Sequence, residues 1–270
     1  MGKGSCMNVI STEVEIRLAL ARSSTYKLLG KSFLYPTQVV FDSIYSELYD
    51  ETLMHFLSVQ QNGLEMGKGI QELHLPGLID REELEKEYNR LFAHLGSAKC
   101  PPYETEYGYD NVFQKTEAMA DIGGFYRAYG LEVSDKTTER VDFISTELEF
   151  MSYLTMKEAY ARENSEEEHL EICLDTERKF LLDHVGRWIT IFAKILSNST
   201  VNEFYLQLGK LTEEFMDVEA RLLGVELKKI MEPNKNLIMQ PPTPFGCDAC
   251  VHVQDSDQGT SNTCNVKFDV

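Results

Sequence analysis

Apolar residues recur at intervals of three and four positions along most of this chain, which is the spacing of one face of an α-helix. The clearest run alternates steps of four and three and consists of Leu181, Val185, Trp188, Phe192 and Ile195. No segment shows the apolar–polar alternation of a half-buried strand, and there is no internal repeat. The pattern predicts an all-α protein.

The same periodicity predicts a single globular domain with about seven main helices. The helices are expected at residues 12–34, 41–57, 81–95, 113–129, 141–154, 181–195 and 201–224, with a glycine-rich connection at 63–77. Asp80 is a candidate N-cap and Gly130 a candidate left-handed C-terminal cap. The helix at 141–154 carries two apolar stripes and is therefore expected at the centre. The domain should span 12–230, between a flexible N-terminus at 1–11 and an irregular Pro- and Cys-containing tail at 231–270.

The charge and hydropathy of the chain narrow the classes of partner. Its 270 residues have a formal net charge of -18, so phosphate backbones and anionic membrane surfaces would repel it. The charge therefore argues against binding to nucleic acid or to anionic membrane surfaces. It is compatible with a basic partner, and equally with an acidic soluble protein that has no such partner. The apolar runs are far shorter than the roughly 20 residues of a transmembrane helix, and the start lacks the apolar core of a secretory signal. We expect a cytoplasmic protein.

The segment Cys-Pro-Pro-Tyr-Glu-Thr-Glu-Tyr-Gly-Tyr-Asp at 100–110 is too long and too rich in aromatic residues for a simple helix connection. Pro101 and Pro102 stiffen its backbone, and Tyr103, Tyr107 and Tyr109 offer amphipathic contact surfaces. Such a loop could recognise a peptide at a low entropic cost. The alternative is that the rings only pack the loop onto the helices.

Asp183 and His184 lie on the predicted helix that carries Trp188, and His184 stands at the edge of its apolar stripe. A histidine beside a buried aromatic ring can orient or donate to a ligand. The alternative is a boundary histidine, with Asp183 in ordinary helix ion pairs to Lys179 and Arg187 at four-residue spacing.

Two further groups of polar residues could carry chemistry. Glu147 falls on an otherwise apolar stripe, so a buried hydrogen-bond partner is expected for it. In the tail, Cys247 and Cys250 form a Cys-x-x-Cys, and His252 and Cys264 could complete a metal site, although the spacing fits no standard zinc ribbon. A metal-binding or redox protein is therefore the alternative function. No nucleophile, zinc-protease, dinucleotide or phosphate-loop motif is present.

Four motifs stand in a fixed order along the chain: Leu28-Leu29-Gly30-x-x-Phe33-Leu34-Tyr35-Pro36, Glu87-Tyr88-x-x-Leu91-Phe92, Pro101-Pro102-Tyr103-Glu104-Thr105-Glu106-Tyr107 and Leu182-Asp183-His184. In this combination the chain resembles the TorD/DmsD/NarJ family of redox-enzyme maturation chaperones over about residues 12–225. Together with residues 120–126, the loop looks most like the delta-type chaperones of type II DMSO-reductase-family molybdoenzymes. Thr105 stands where the family commonly has serine, and the tail is outside the family pattern.

The resemblance implies a helical chaperone without catalytic activity or cofactor. It would bind the apo catalytic subunit of a molybdoenzyme, often at its twin-arginine signal peptide, until the molybdenum cofactor is inserted, as a monomer or homodimer. The peptide groove would lie between the proline–tyrosine loop and the Asp183–His184 helix. The positions that match the family motifs there are Tyr88, Leu91, Phe92, Pro101, Pro102, Tyr103, Glu104, Tyr107, Asp183 and His184. Arginines of the signal are expected to meet Glu104 or Glu106.

Overall fold

The computed structural model describes residues 5–45, 80–92, 98–133 and 139–227. These contain eight α-helices: α1 (Ser5–Ser32), α2 (Gln38–Tyr45), α3 (Arg81–Phe92), α4 (Val112–Ala128), α5 (Ile144–Glu163), α6 (Glu167–Phe180), α7 (Gly186–Ser199) and α8 (Glu203–Leu223). The all-α prediction is confirmed, since the only strand-like pairing among the described residues is an isolated bridge between Tyr103 and Phe143. None of the helices in these ranges is long and apolar enough to span a membrane.

Several predicted boundaries agree with the structure. The side chain of Asp80 accepts a hydrogen bond from the backbone N–H of Glu82 at 2.9 Å, which starts α3 as expected of an N-cap. Gly130 has a φ of 70°, the left-handed conformation that glycine adopts without strain. The first helix, however, begins at Ser5 rather than at residue 12, so much of the predicted flexible N-terminus is helical. The connection at 63–77 and the tail at 231–270 lie outside the described residues.

Helix α5 occupies the centre of the domain, as its two apolar stripes predicted. It packs along α1 for most of its length and also contacts α6. Its buried residues include the apolar side chains of Leu148, Met151 and Leu154 and also the carboxyl groups of Glu147 and Glu158. Because the helix is surrounded by neighbours, these two carboxylates need partners inside the protein.

The predicted helix at 181–195 is part of a longer helical run, in which α6 continues through a π-helical turn, Leu181–Val185, into α7. The N–H of Gly186 donates to the carbonyl of Leu181, five residues earlier. A side chain at this position would collide with that same carbonyl, so glycine allows the wider turn. The π turn places Asp183 and His184 at a local irregularity, where functional residues are often found.

A buried charge cluster joins α1, α5, α6 and α8. Arg22 of α1 donates to Glu158 at 2.5 Å, to Glu177 at 2.6 Å and to both oxygens of Glu219 at 2.8 Å. Tyr26 donates to Glu219 at 2.9 Å. All four charged side chains are at most 4% exposed. One guanidinium therefore ties four helices together through bidentate and single charge-assisted bonds.

This cluster makes stability depend on pH. Burial raises the pKa of Glu177 to about 8, although the attraction of Arg22 opposes the shift. Because the folded-state pKa lies above the unfolded value, Glu177 contributes stability that is present below about pH 4.5 and is lost as the pH rises to about 8. Glu177→Gln should remove this contribution, so that the unfolding free energy of the wild type falls relative to the variant by up to about 1.4 kcal/mol per pH unit.

Urea unfolding of both proteins between pH 5 and pH 8 would measure that difference. Glu171→Gln, an exposed change on the same helix, is the matched control and should follow the wild type at every pH. A difference between wild type and Glu177→Gln that stays constant across this range would contradict the expected titration.

Candidate functional site

The loop at 100–110 is held in place by backbone hydrogen bonds to the segment before α5. The N–H of Glu104 donates to the carbonyl of Asp142 at 3.0 Å, and the N–H of Ile144 donates to the carbonyl of Pro102 at 3.0 Å. Between these bonds the residues Glu104–Glu106 form one turn of 3₁₀ helix. The loop is an ordered part of the domain.

Glu104 connects this loop to the π turn. Its side chain is 1% exposed, and Tyr109 donates to its Oε1 at 2.6 Å. The Nδ1 of His184 lies 3.3 Å from its Oε2. Arg187 donates to the hydroxyl of Tyr109 at 3.1 Å and stands over its ring. The loop and the helix that carries His184 are therefore in direct contact through a buried carboxylate.

Glu147 has the buried partner that its position predicted. The indole Nε1 of Trp188 donates to its Oε2 at 3.1 Å. Burial raises the pKa of Glu147 well above its usual range, and the charge of Glu104 raises it further. Glu147 therefore keeps its proton to a higher pH than an exposed glutamate does. Tyr107 stacks on Trp188 with the ring centres 5.2 Å apart, so the loop packs against the same tryptophan that donates to Glu147.

His184 is enclosed by aromatic rings and by two carboxylates. Its ring centre lies 5.4 Å from that of Phe125 and 5.1 Å from that of Phe180. Its Nε2 lies 3.3 Å from the carboxylate of Asp121, a residue whose side chain is 65% exposed. His184 thus lies between the buried Glu104 and the solvent-facing Asp121, and its Nε2 has no hydrogen-bond partner among the described residues.

Asp183 points to solvent, unlike its neighbour His184. The predicted ion pairs to Asp183 are wrong for both partners. Lys179 pairs with Asp175 at 2.7 Å instead, and Arg187 contacts only the backbone carbonyl of Asp183 besides Tyr109. Asp183 is the member of the predicted site that stands most open to a ligand.

In this conformation the loop and the helix that carries His184 pack against each other through Glu104, and the peptide groove between them stays a prediction. Six of the ten predicted residues are buried: Leu91, Phe92, Pro102, Glu104, Tyr107 and His184. Glu104 is already occupied by its contacts to Tyr109 and His184, and Glu106 pairs with Lys115 at 3.1 Å. Motif spacing predicts which residues lie close together in the fold. It does not show whether their side chains contact a ligand or contact one another.

Three aromatic residues near the loop do reach the surface, and we call Tyr35, Tyr88 and Tyr103 the tyrosine patch. The rings of Tyr35 and Tyr88 lie 5.3 Å apart, edge to face. Tyr103 donates to Glu139 at 2.7 Å. Burial raises the pKa of Tyr88, and the negative charge of Glu139 raises it further. Tyr88 and Tyr103 therefore both lie near the carboxylate of Glu139. Tyr88 and Tyr103 were predicted to be peptide-binding residues. Tyr35 belongs to the first family motif but was not among the predicted binding residues.

Two cysteines whose side chains the structure describes, Cys100 and Cys173, have no reactive character. Cys100 and Cys173 are buried, and burial raises the pKa of each thiol to about 11. In the described ranges no three His, Cys, Asp or Glu residues are grouped to hold a metal ion. The predicted tail ligands, Cys247, Cys250, His252 and Cys264, lie outside those ranges.

The chain is similar to several assembly chaperones. The family model described as nitrate reductase delta subunit matches residues 59–194. The perchlorate reductase assembly chaperone protein of Dechloromonas aromatica is 26% identical, over 82% of this chain and 99% of the relative. Chaperone protein TorD of Vibrio parahaemolyticus is 22% identical, over 68% and 92%. A putative redox enzyme maturation protein from Archaeoglobus fulgidus, of known structure, is 24% identical over 72% and 93%, with a TM-score of 0.42.

These relatives bear the names of chaperones and assembly proteins rather than of catalysts, in agreement with the absence of catalytic motifs in the sequence. The family match covers half of the chain and includes the loop, α3 and the Asp183–His184 pair. The chain belongs to the nitrate reductase delta subunit family and is a redox-enzyme maturation chaperone of the TorD/NarJ type, not an enzyme.

Proposed function

We propose that this protein is a cytoplasmic chaperone for the catalytic subunit of one molybdenum-cofactor oxidoreductase. It binds the apo subunit, including its twin-arginine signal peptide, until the cofactor is inserted, and then leaves the mature enzyme. The observation that carries this proposal is the set of relatives, which are named as assembly chaperones of perchlorate, chlorate and selenate reductases.

The charge of the chain supports a signal peptide as one ligand. Such a peptide has arginines at its start and apolar residues after them, whereas the chaperone has a net charge of -18. The tyrosine patch adds partly exposed aromatic rings, which bind apolar and cationic side chains. The buried motif residues then support this surface from beneath, since Tyr107 and Glu104 hold the loop that presents Tyr103.

Purification of the chain from its native host tests the proposed partner. We expect a molybdoenzyme catalytic subunit to copurify in its precursor form, without cofactor, and the mature enzyme to lack the chaperone. Recovery of the chain as a stoichiometric subunit of the mature enzyme, or without any oxidoreductase subunit, would contradict the proposal.

Calorimetry with a synthetic peptide tests the signal-peptide part. The peptide has an Arg-Arg pair followed by an apolar stretch of about 12 residues. We expect 1:1 binding, weakened tenfold or more by Tyr103→Ala, because loss of a hot-spot tyrosine costs about 2 kcal/mol and tenfold corresponds to about 1.4 kcal/mol. Phe113→Ala removes an exposed ring at the start of α4 and is the matched control, with no change expected.

A further inference from the structure

A cavity of about 620 Å³ opens beside the tyrosine patch, between α1, α5 and the segment that follows α4. Its apolar lining comes mainly from Leu34, Leu131, Val133, Phe143, Phe150 and Tyr153. A volume of this size accommodates several side chains of a bound segment. None of these residues was predicted as part of the site.

Close contact of two helices forms one wall of the cavity. Ser145 at the start of α5 donates its hydroxyl to the carbonyl of Gly30 in α1. A Cβ on Gly30 would lie 3.3 Å from the carbonyl oxygen of Ser145, so a larger residue would push the helices apart. Gly30 and Ser145 have small side chains and therefore fill little of the cavity, which leaves its apolar lining accessible.

The cavity is continuous with the tyrosine patch. Phe143 lines the cavity and lies 5.5 Å, ring centre to ring centre, from Tyr103. Glu139 also lines the cavity and accepts the hydrogen bond from Tyr103. On the α1 side, Leu34 of the cavity directly precedes Tyr35 of the patch. The tyrosine patch and the apolar cavity therefore form one continuous surface.

The rim of the cavity has unlike charges on its two sides. Lys27 and Lys31 stand on α1, whereas Glu132 and Glu149 come from the segment after α4 and from α5. None of these four side chains forms an ion pair with another residue in the described ranges. A ligand that is basic at one end would be repelled by the lysines and attracted by the glutamates.

We propose that this cavity and the tyrosine patch form the binding site for the apolar segment of a twin-arginine signal peptide, with the arginines at Glu132 and Glu149. The proposal rests on the proposed function and replaces the predicted groove between the loop and the Asp183–His184 helix. The apolar segment fills the cavity and continues toward Tyr103. The arginines remain at the rim, where two carboxylates can each accept a guanidinium.

Calorimetry with the synthetic Arg-Arg peptide tests this location. Glu132→Lys combined with Glu149→Lys should weaken binding tenfold or more, because like charges would then face the arginines. Thr146→Trp, which puts a large ring into the cavity, should abolish binding. Glu163→Lys combined with Glu171→Lys makes the same charge change at exposed positions on α5 and α6 that do not line the cavity, and binding should stay within about twofold of wild type.

A photo-crosslinking residue in the middle of the peptide gives a readout that does not depend on variant folding. Crosslinks to residues 27–34, 131–133 or 139–153 are expected. Crosslinks to 183–187 instead, or wild-type affinity in both cavity variants, would overturn the location while leaving signal-peptide binding intact. No binding to wild type would overturn both. Self-association that Thr146→Trp weakens, with peptide binding unchanged, would assign the cavity to a second copy and also overturn the proposal.

Discussion

Replacing Arg22 with leucine is expected to lower the free energy of unfolding by about 3–5 kcal/mol, the cost of breaking a buried ion pair from one side. Glu158, Glu177 and Glu219 would remain in the interior without the guanidinium that now contacts all three. Within the described part of the chain, Glu158 alone of these acids has a second cationic partner, Arg162 at 2.7 Å. Glu177 already holds its proton up to about pH 8, so Glu219 is the carboxylate that would have to take up a proton or admit water.

Denaturant unfolding of Arg22→Leu and Arg17→Leu measures this effect against a matched control. Arg17 lies on the same helix and pairs with Glu13, but both side chains are about 60% exposed. Its replacement should change the unfolding free energy by about 0–1 kcal/mol. Similar small losses for the two variants would show that the Arg22 cluster contributes no more than a surface pair. The loss in Arg22→Leu should also shrink at low pH, where the acids are protonated.

Replacing Gly209 with alanine is expected to destabilise the protein by about 1–3 kcal/mol, although alanine is the better helix former. Gly209 lies in α8 where this helix crosses α7. A Cβ at this position would collide with Ser197 and would lie 2.8 Å from the carbonyl oxygen of Ala193. Because a backbone carbonyl cannot rotate away, the two helices must move apart.

Gly124→Ala is the matched control for this prediction. Gly124 is also inside a helix, α4, but a Cβ there meets nothing within 4 Å. Alanine should therefore stabilise the protein by up to about 1 kcal/mol through helix propensity alone. Thermal unfolding of the two variants should shift the midpoint in opposite directions. A rise of the midpoint in Gly209→Ala would contradict the close approach of α7 and α8.

The helices whose buried faces are apolar could be predicted from the sequence, and α6 shows why one helix was missed. Its buried residues are Cys173, Glu177 and Phe180, at helical spacing. The glutamate interrupts the apolar stripe, because the contact that makes its burial possible comes from Arg22, 155 positions away along the chain. A partner so distant in sequence leaves no local pattern around α6.

The candidate site was predicted only in part for a similar reason. The motifs correctly brought together the loop, α3 and the π turn, and Tyr88 and Tyr103 reach the surface. Which motif residues are buried and which are exposed could not be predicted. The same spacing would allow Tyr107 or Glu104 to face either a ligand or a neighbouring helix. The cavity residues carry no motif at all, because apolar side chains beside a cavity look like any core residues in the sequence.

The all-α class, the N-cap at Asp80, the C-cap at Gly130, the central position of α5 and the family could all be predicted from the amino-acid sequence. These depend on contacts three or four residues apart, or on motifs, and both are local in the chain. Three features became visible in the folded protein alone: Glu104 joins the loop to His184, Arg22 links four helices, and a cavity opens beside Tyr103. Each of these features depends on how helices that are distant in sequence pack against one another. That packing is determined by apolar burial and charge pairing across the whole core.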